Sequence, residues 1–152
     1  MWVGRMNDVL DAVRNSWLLC RAGAHFCALP LGQIIEVMRV LPAEPLAGAP
    51  PFLKGVAVIR GAPVPLVDLA RLLGQAEAPA ARIVTLRVGP RVLGLLVAEV
   101  AGIKRDAEIR ERSMVPLLRQ AAGKAVEMVG ALDEEVLLFL GSLRIVAESV
   151  PA

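Results

Sequence analysis

The sequence predicts a mainly β protein, and three observations carry that expectation. About eight to ten short apolar runs follow one another through the chain. Turn-forming glycines and prolines punctuate them at intervals of roughly 8–12 residues, the rhythm of a sandwich or barrel. Strands this short bury little singly, so curling the sheets into barrels is the economical way to lose exposed edges.

The one strong helical signal comes first. Trp2, Met6, Val9, Leu10, Val13 and Trp17 recur at the spacing of one helix face, with Asp8, Asp11, Arg14 and Asn15 falling largely elsewhere. Residues 3–15 are read as an amphipathic helix. Its apolar face either packs on its own domain or docks on a partner, and self-association through Trp2 and Trp17 stays open.

A hairpin follows, residues 17–21 and 25–29 around Ala22-Gly23-Ala24. Pro30-Leu31-Gly32-Gln33 makes a corner into a strand over 34–41. The proline-rich stretch 42–51 reads as a stiff loop. A second hairpin spans 54–69, with its turn placed at Gly61-Ala62 and Arg60 near the tip. Pro63 and Pro65 sit two apart, so their missing N–H groups share one edge, which should face solvent or a partner. Asp68 is positioned to cap a helical turn over 69–73 that Gly74 closes. After a linker at 75–81, strands at 82–88 and 91–98 flank a Gly89-Pro90 turn. The second of these is so apolar that both faces should be covered. Strand continues over 100–103, and 104–124 is expected to be charged and irregular, with a short helix near 115–121. A last hairpin, 126–132 and 135–140, turns at Asp133-Glu134, and 144–150 forms a closing helical turn.

Composition narrows the function classes. The chain is 152 residues long, 56% hydrophobic, with a mean hydropathy of +0.60. A membrane helix needs about 18 or more apolar residues in succession. The longest charge-free run, residues 22–35, is shorter and contains Pro30, so no membrane insertion is expected. Arg5, Asp8, Asp11 and Arg14 interrupt the first twenty residues, which argues against a secretory signal and for a cytoplasmic protein. A net charge of +2, 3% aromatics and no tyrosine give neither the electrostatic footprint nor the stacking platforms of a nucleic-acid binder. Two cysteines and one histidine do not make a metal-ligand set. Cys20 and Cys27 read as small buried hydrophobes, and whether they face each other depends on a register the sequence leaves open.

The run Phe52-Leu53-Lys54-Gly55-Val56-Ala57-Val58-Ile59-Arg60-Gly61, followed by Val64-Pro65-Leu66-Val67-Asp68-Leu69, resembles the CheW-like domain, the adaptor family of bacterial chemosensory arrays. Cys27-Ala28-Leu29-Pro30-Leu31, Ile34-Ile35-Glu36-Val37 and the pair of strands around Gly89-Pro90 also fit, and the Gly130-Ala131-Leu132 stretch fits more loosely. The resemblance covers nearly everything after residue 17. It implies two small five-stranded SH3-like β-barrels sharing a hydrophobic core, here with residues 1–16 as a helical extension and 17–150 as the two-lobed domain. It implies a scaffold that couples a chemoreceptor's cytoplasmic tip to the regulatory domain of a CheA-type histidine kinase, without catalysis and without a cofactor. Where family members carry Asn, this chain has Val58; a common acidic position is Ala98. These departures, with the added helix, suit a specialised paralogue serving a twitching-type or a non-motility pathway.

The candidate partner contacts are Arg60, Glu36, Ile34, Val37, Gly61 and Ile103. A planar guanidinium gives directional, charge-assisted bonds to a partner's carboxylate or carbonyl. The competing role for Arg60 is an internal pair with Glu36 or Asp68. Ile34 and Val37 would supply apolar area beside Glu36. Ile59, Leu66, Val97 and Ile103 read first as core, with Ile103 kept among the contacts as well. Gly61 suits the positive φ of a tight turn. The alternative function is a small-ligand-binding barrel, which needs a cavity with a few polar groups. A hydrolase built on Asp68 or Glu99 is the weakest reading, because nothing pairs them.

Overall fold

In the computed structural model, residues 2–76, 78–105, 110–113, 128–132 and 135–139 are described. The chain begins with helix α1 (Trp2–Arg14). The Ser16 hydroxyl donates to the Ala12 carbonyl and the Asn15 amide to that of Asp11 as the helix gives way to strand. Then come β1 (Ser16–Ala22), β2 (His25–Pro30), a single 3-10 turn (Leu31–Gln33) and β3 (Ile34–Arg39). The second hairpin is β4 (Leu53–Ile59) and β5 (Ala62–Asp68), leading into the short helix α2 (Leu69–Leu72). The remaining strands are β6 (Arg82–Val88), β7 (Arg91–Val97), β8 (Glu99–Arg105), β9 (Arg110–Ser113), β10 (Met128–Leu132) and β11 (Glu135–Phe139).

The strands form a six-stranded sheet, ordered β8-β1-β2-β11-β10-β9, and a five-stranded sheet, ordered β3-β6-β7-β5-β4. The middle of the chain thus builds one sheet, and its two ends together build the other. Most neighbours run antiparallel; β5 beside β7 and β2 beside β11 are parallel. The expected mainly β architecture is present as two sheets, and the six-stranded sheet carries one strand more than the five expected. That strand is β9, which lies within the charged segment read from sequence as irregular. The expected helical turns near 115–121 and 144–150 lie outside the described residues.

The larger core sits between the sheets. Leu18, Cys20, Cys27 and Leu29 on one side meet Val84, Leu86, Leu93 and Leu95 on the other. A second core covers the opposite face of the five-stranded sheet, where Ala57, Ile59, Val64, Leu66, Ile83 and Leu96 pack with Met38 and Val92. Alternation along β6 and β7 therefore delivers apolar side chains to two cores, which is why β7 reads as almost continuously hydrophobic. Gly94 is required here: a Cβ would come within 2.6 Å of the Leu66 side chain and 3.0 Å of Ile83. Cys20 and Cys27 are direct cross-strand partners, free and fully buried. Burial pushes the Cys20 thiol up to about 12, so it behaves as packing rather than as a nucleophile.

Asp68 does what its position predicts. Its carboxylate accepts from the Arg71 amide at the start of α2, and Gly74 adopts φ 83 after the last turn. That capping role, in a side chain only 3% exposed, leaves Asp68 committed to structure. Ile59, Leu66 and Val97 are core as expected, whereas Ile103 is 56% exposed on β8. Among the described residues β8 is the outermost strand of its sheet, with a neighbour, β1, on one side.

Candidate functional site

The β4–β5 hairpin turns in two residues, Arg60 and Gly61, with φ values of 53 and 79. Two consecutive positive φ angles mark the type I′ geometry that matches the twist of a tight hairpin. The turn therefore lies one residue earlier than the Gly61-Ala62 expected from sequence. Gly61 occupies the second position at no steric cost. Arg60 occupies the first, in a region that L residues avoid because Cβ crowds the backbone carbonyl.

That backbone aims the arginine back across the sheet to β3. Arg60 Nη2 donates to Glu36 Oε2 at 2.6 Å, and Nε donates to Oε1 at 3.2 Å. This is a two-point fork, the geometry in which a guanidinium is most directional. The internal pair weighed for Arg60 is thus made with Glu36; Asp68 is elsewhere. Hydrogen bonding from Arg60 holds the Glu36 carboxyl below the ordinary carboxylate range, and the carboxylate raises Arg60 in return. The Arg60 side chain remains 78% exposed and that of Glu36 23% exposed. An exposed pair of this kind adds little to stability.

Glu36 is set by a β-bulge. Ile34 faces Leu86 and Glu36 faces Thr85, so Ile35 is the extra residue in β3. The buried Thr85 hydroxyl fills the irregularity. It accepts from the Glu36 amide and donates to the Glu36 carbonyl, both at 3.2 Å. The bulge also decides what surrounds Glu36. Ile34 packs on the inter-sheet core, and Val37 pairs with Val84, which belongs to that same core. Both therefore lie on the opposite face of β3 from Glu36. The expectation that they flank Glu36 is corrected: the bulged residue, Ile35, takes that place.

Beside the ion pair lies an open groove of about 460 Å³. Its lining is mainly apolar, with Ile35, Ile59, Pro63, Pro65 and Val92, and includes Arg91. The prolines explain why the groove exists. In a two-residue hairpin the flanking pair, here Ile59 and Ala62, is hydrogen-bonded, so residues 63 and 65 point their backbone groups away from β4. Parallel pairing with β7 begins only at Leu66. The first half of β5 is consequently an unpaired edge without N–H donors at Pro63 and Pro65, as their spacing predicts. Val58, where the family pattern has Asn, is 71% exposed on the outer face of the hairpin.

The structure thus unites Arg60, Gly61 and Glu36 in one place. Ile35, Thr85 and Val92 join them, and sequence reasoning did not select these three. Alternation gives no sign of a bulge, so the signal for Ile35 was not available. Ile103 stands on the other sheet. Among the described residues no group of histidine, cysteine and acidic side chains is arranged to hold a metal ion, and no helix is long and apolar enough to cross a membrane.

Comparison with known proteins places these features in context. The family model for the CheW-like domain matches residues 16–149. Chemotaxis protein CheW of Rhizobium meliloti (strain 1021) is 36% identical over 86 residues, covering 55% of this chain and 56% of that protein. Protein FrzA of Myxococcus xanthus is 34% identical over 89 residues, 57% of this chain and 51% of FrzA. Protein PilI of Pseudomonas aeruginosa is 32% identical over 128 residues, 78% of this chain and 68% of PilI. The matched segment thus spans about half the length of the first two relatives. The crystal structure of the scaffolding protein TtCheW from Thermoanaerobacter tengcongensis superposes with a TM-score of 0.69, covering 84% of this chain and 88% of that one. At 18% identity this is a likeness of fold.

Proposed function

The chain belongs to the CheW-like domain family, and from that premise we propose that it is an adaptor coupling a chemoreceptor to a CheA-type histidine kinase in a chemosensory pathway. The observation that carries the reading is the forked Arg60–Glu36 pair held at the rim of an apolar groove. An interface needs apolar area for affinity and a few directional charges for register, and this surface offers both. The partners are the regulatory domain of the kinase and the cytoplasmic tip of the receptor, and the place of action is the cytoplasm. The protein acts by binding and not by catalysis. It holds the two partners in fixed geometry, and its differential contacts let a change in the receptor shift the kinase's conformational equilibrium.

Binding of the wild type and of Arg60→Ala to a kinase regulatory domain and to a receptor-tip fragment tests this. The wild type should bind at least one of them, and Arg60→Ala should weaken that binding by about tenfold or more. Failure of the wild type to bind either partner overturns the reading. A small-ligand sensor is the second reading. The groove favours it, because its volume falls in the range of about 300–1,000 Å³ usual for ligand sites. A thermal-shift hit that leaves both protein partners unbound would put it first.

A further inference from the structure

Helix α1 precedes the segment matched by the family and stands apart from the site just described. Met6, Val9 and Leu10 are 53%, 62% and 45% exposed, so this part of its apolar stripe is open rather than packed on the domain. The helix touches the body near its C-terminal end, where Val13 meets Gly32. A 13-residue helix is marginal in water without a covered face. The charges around the stripe say what covers it. At 100° per residue, Arg5 borders the stripe on one side and Arg14 on the other, while Asp8 and Asp11 fall on the opposite face. We propose that α1 docks on a partner protein whose apolar groove or helix face is rimmed by carboxylates.

The same pattern disfavours the other occupants. Two copies of α1 face to face bring no aspartate against an arginine, parallel or antiparallel, because both carboxylates lie on the back. A lipid surface is less favoured because the polar back of α1 carries Asp8 and Asp11 and no lysine, unlike the Lys/Arg-rich polar face of a helix that lies on anionic lipid. A rim of carboxylates, by contrast, meets both arginines while the stripe is covered. The proposal does not rest on the adaptor reading, since its residues lie outside the family segment.

The test uses the full chain and three probes. They are a synthetic amphipathic helix with a leucine stripe bordered by glutamates, its counterpart bordered by lysines, and vesicles of phosphatidylcholine with phosphatidylglycerol. Fluorescence anisotropy should show the glutamate-bordered peptide binding about tenfold or more tightly than the lysine-bordered one at low salt. The preference should vanish in the double variant Arg5→Gln/Arg14→Gln, and both peptides should be lost in Leu10→Asp. These positions are exposed, so the melting temperature should stay near that of the wild type. Equal binding of the two peptides, or binding retained by Leu10→Asp, overturns the proposal. So does a dimer in sedimentation that Leu10→Asp dissolves, or vesicle binding without peptide preference.

Discussion

At the tip of the β1–β2 hairpin, Gly23-Ala24, the fastening is a neutral amide. Gln75 Oε1 accepts from the Ala24 amide at 2.8 Å, and Gln75 Nε2 donates to the Ala22 carbonyl at 3.0 Å. The tip of the β4–β5 hairpin, Arg60-Gly61, is fastened instead by an exposed ion pair to Glu36. Both turns take two residues and both are tied to an element distant in sequence. The difference lies in what each tie resists. An amide clamp is indifferent to pH and salt, and its donors and acceptors are consumed internally. A forked ion pair in solvent is screened by salt and leaves carboxylate and guanidinium within reach of another molecule. The first device fixes a fold, and the second keeps a contact surface in shape while remaining available to it.

Substitutions sharpen this contrast. The largest effect is expected at the root of the β4–β5 hairpin, not at either tip. Gly55 has φ 145, and a Cβ there would lie 2.3 Å from the Glu44 carbonyl oxygen, in the loop that covers the edge of β4. Gly55→Ala should cost roughly 2–4 kcal/mol in urea unfolding, because backbone cannot step aside. Gly23→Ala meets Gln75 Oε1 at the same distance, but that is the end of a flexible side chain. Its cost should be nearer 1 kcal/mol, mostly from the positive φ, and equal costs at the two glycines would show the obstacle has been misjudged.

At the tips themselves, Arg60→Lys keeps the charge and loses the fork. If directionality is what the partner requires, kinase-domain binding should fall about three- to tenfold while the melting curve barely moves. Binding at wild-type strength would mean that charge alone suffices. Gln75→Ala should do the reverse, with about 1 kcal/mol lost from stability and partner affinity unchanged.

The smallest effect is the pH dependence of the ion pair. The folded-state value of Glu36 is depressed, so its contribution to stability is present above the ordinary carboxylate value and disappears as pH falls through the lowered one. The stability difference between wild type and Glu36→Gln should therefore shrink on acidification, in the window below the usual carboxylate range. It should also shrink with salt. The difference between wild type and Gln75→Ala should stay flat through the same series.

Much of the architecture was legible because it follows from local chemistry. The apolar runs mark the strands, Asp68 and Gly74 bracket α2, and the near-continuous hydrophobicity of β7 announces a strand covered on both faces. The prolines at 63 and 65 announced the open edge that became the groove. Other features escaped. The sequence puts the turn one residue late because it shows a glycine where positive φ is free, and nothing in it marks Arg60 as accepting positive φ too. β9 escaped because Arg110, Glu111, Arg112 and Ser113 have no apolar alternation; pairing with β10 makes them a strand. The bulge at Ile35 escaped because alternation is blind to an inserted residue.

What residue order determined here is everything governed by neighbours a few positions away: helix face, strand period, cap, and the edge that cannot donate. Tertiary structure alone decided that Arg60 meets Glu36, that Cys20 faces Cys27, and that Met6, Val9 and Leu10 of α1 stay open while apolar strands vanish into two cores. The reason is physical. Local preference costs or gains a fraction of a kilocalorie per residue, whereas register and packing partners are fixed only when distant segments compete for the same buried volume.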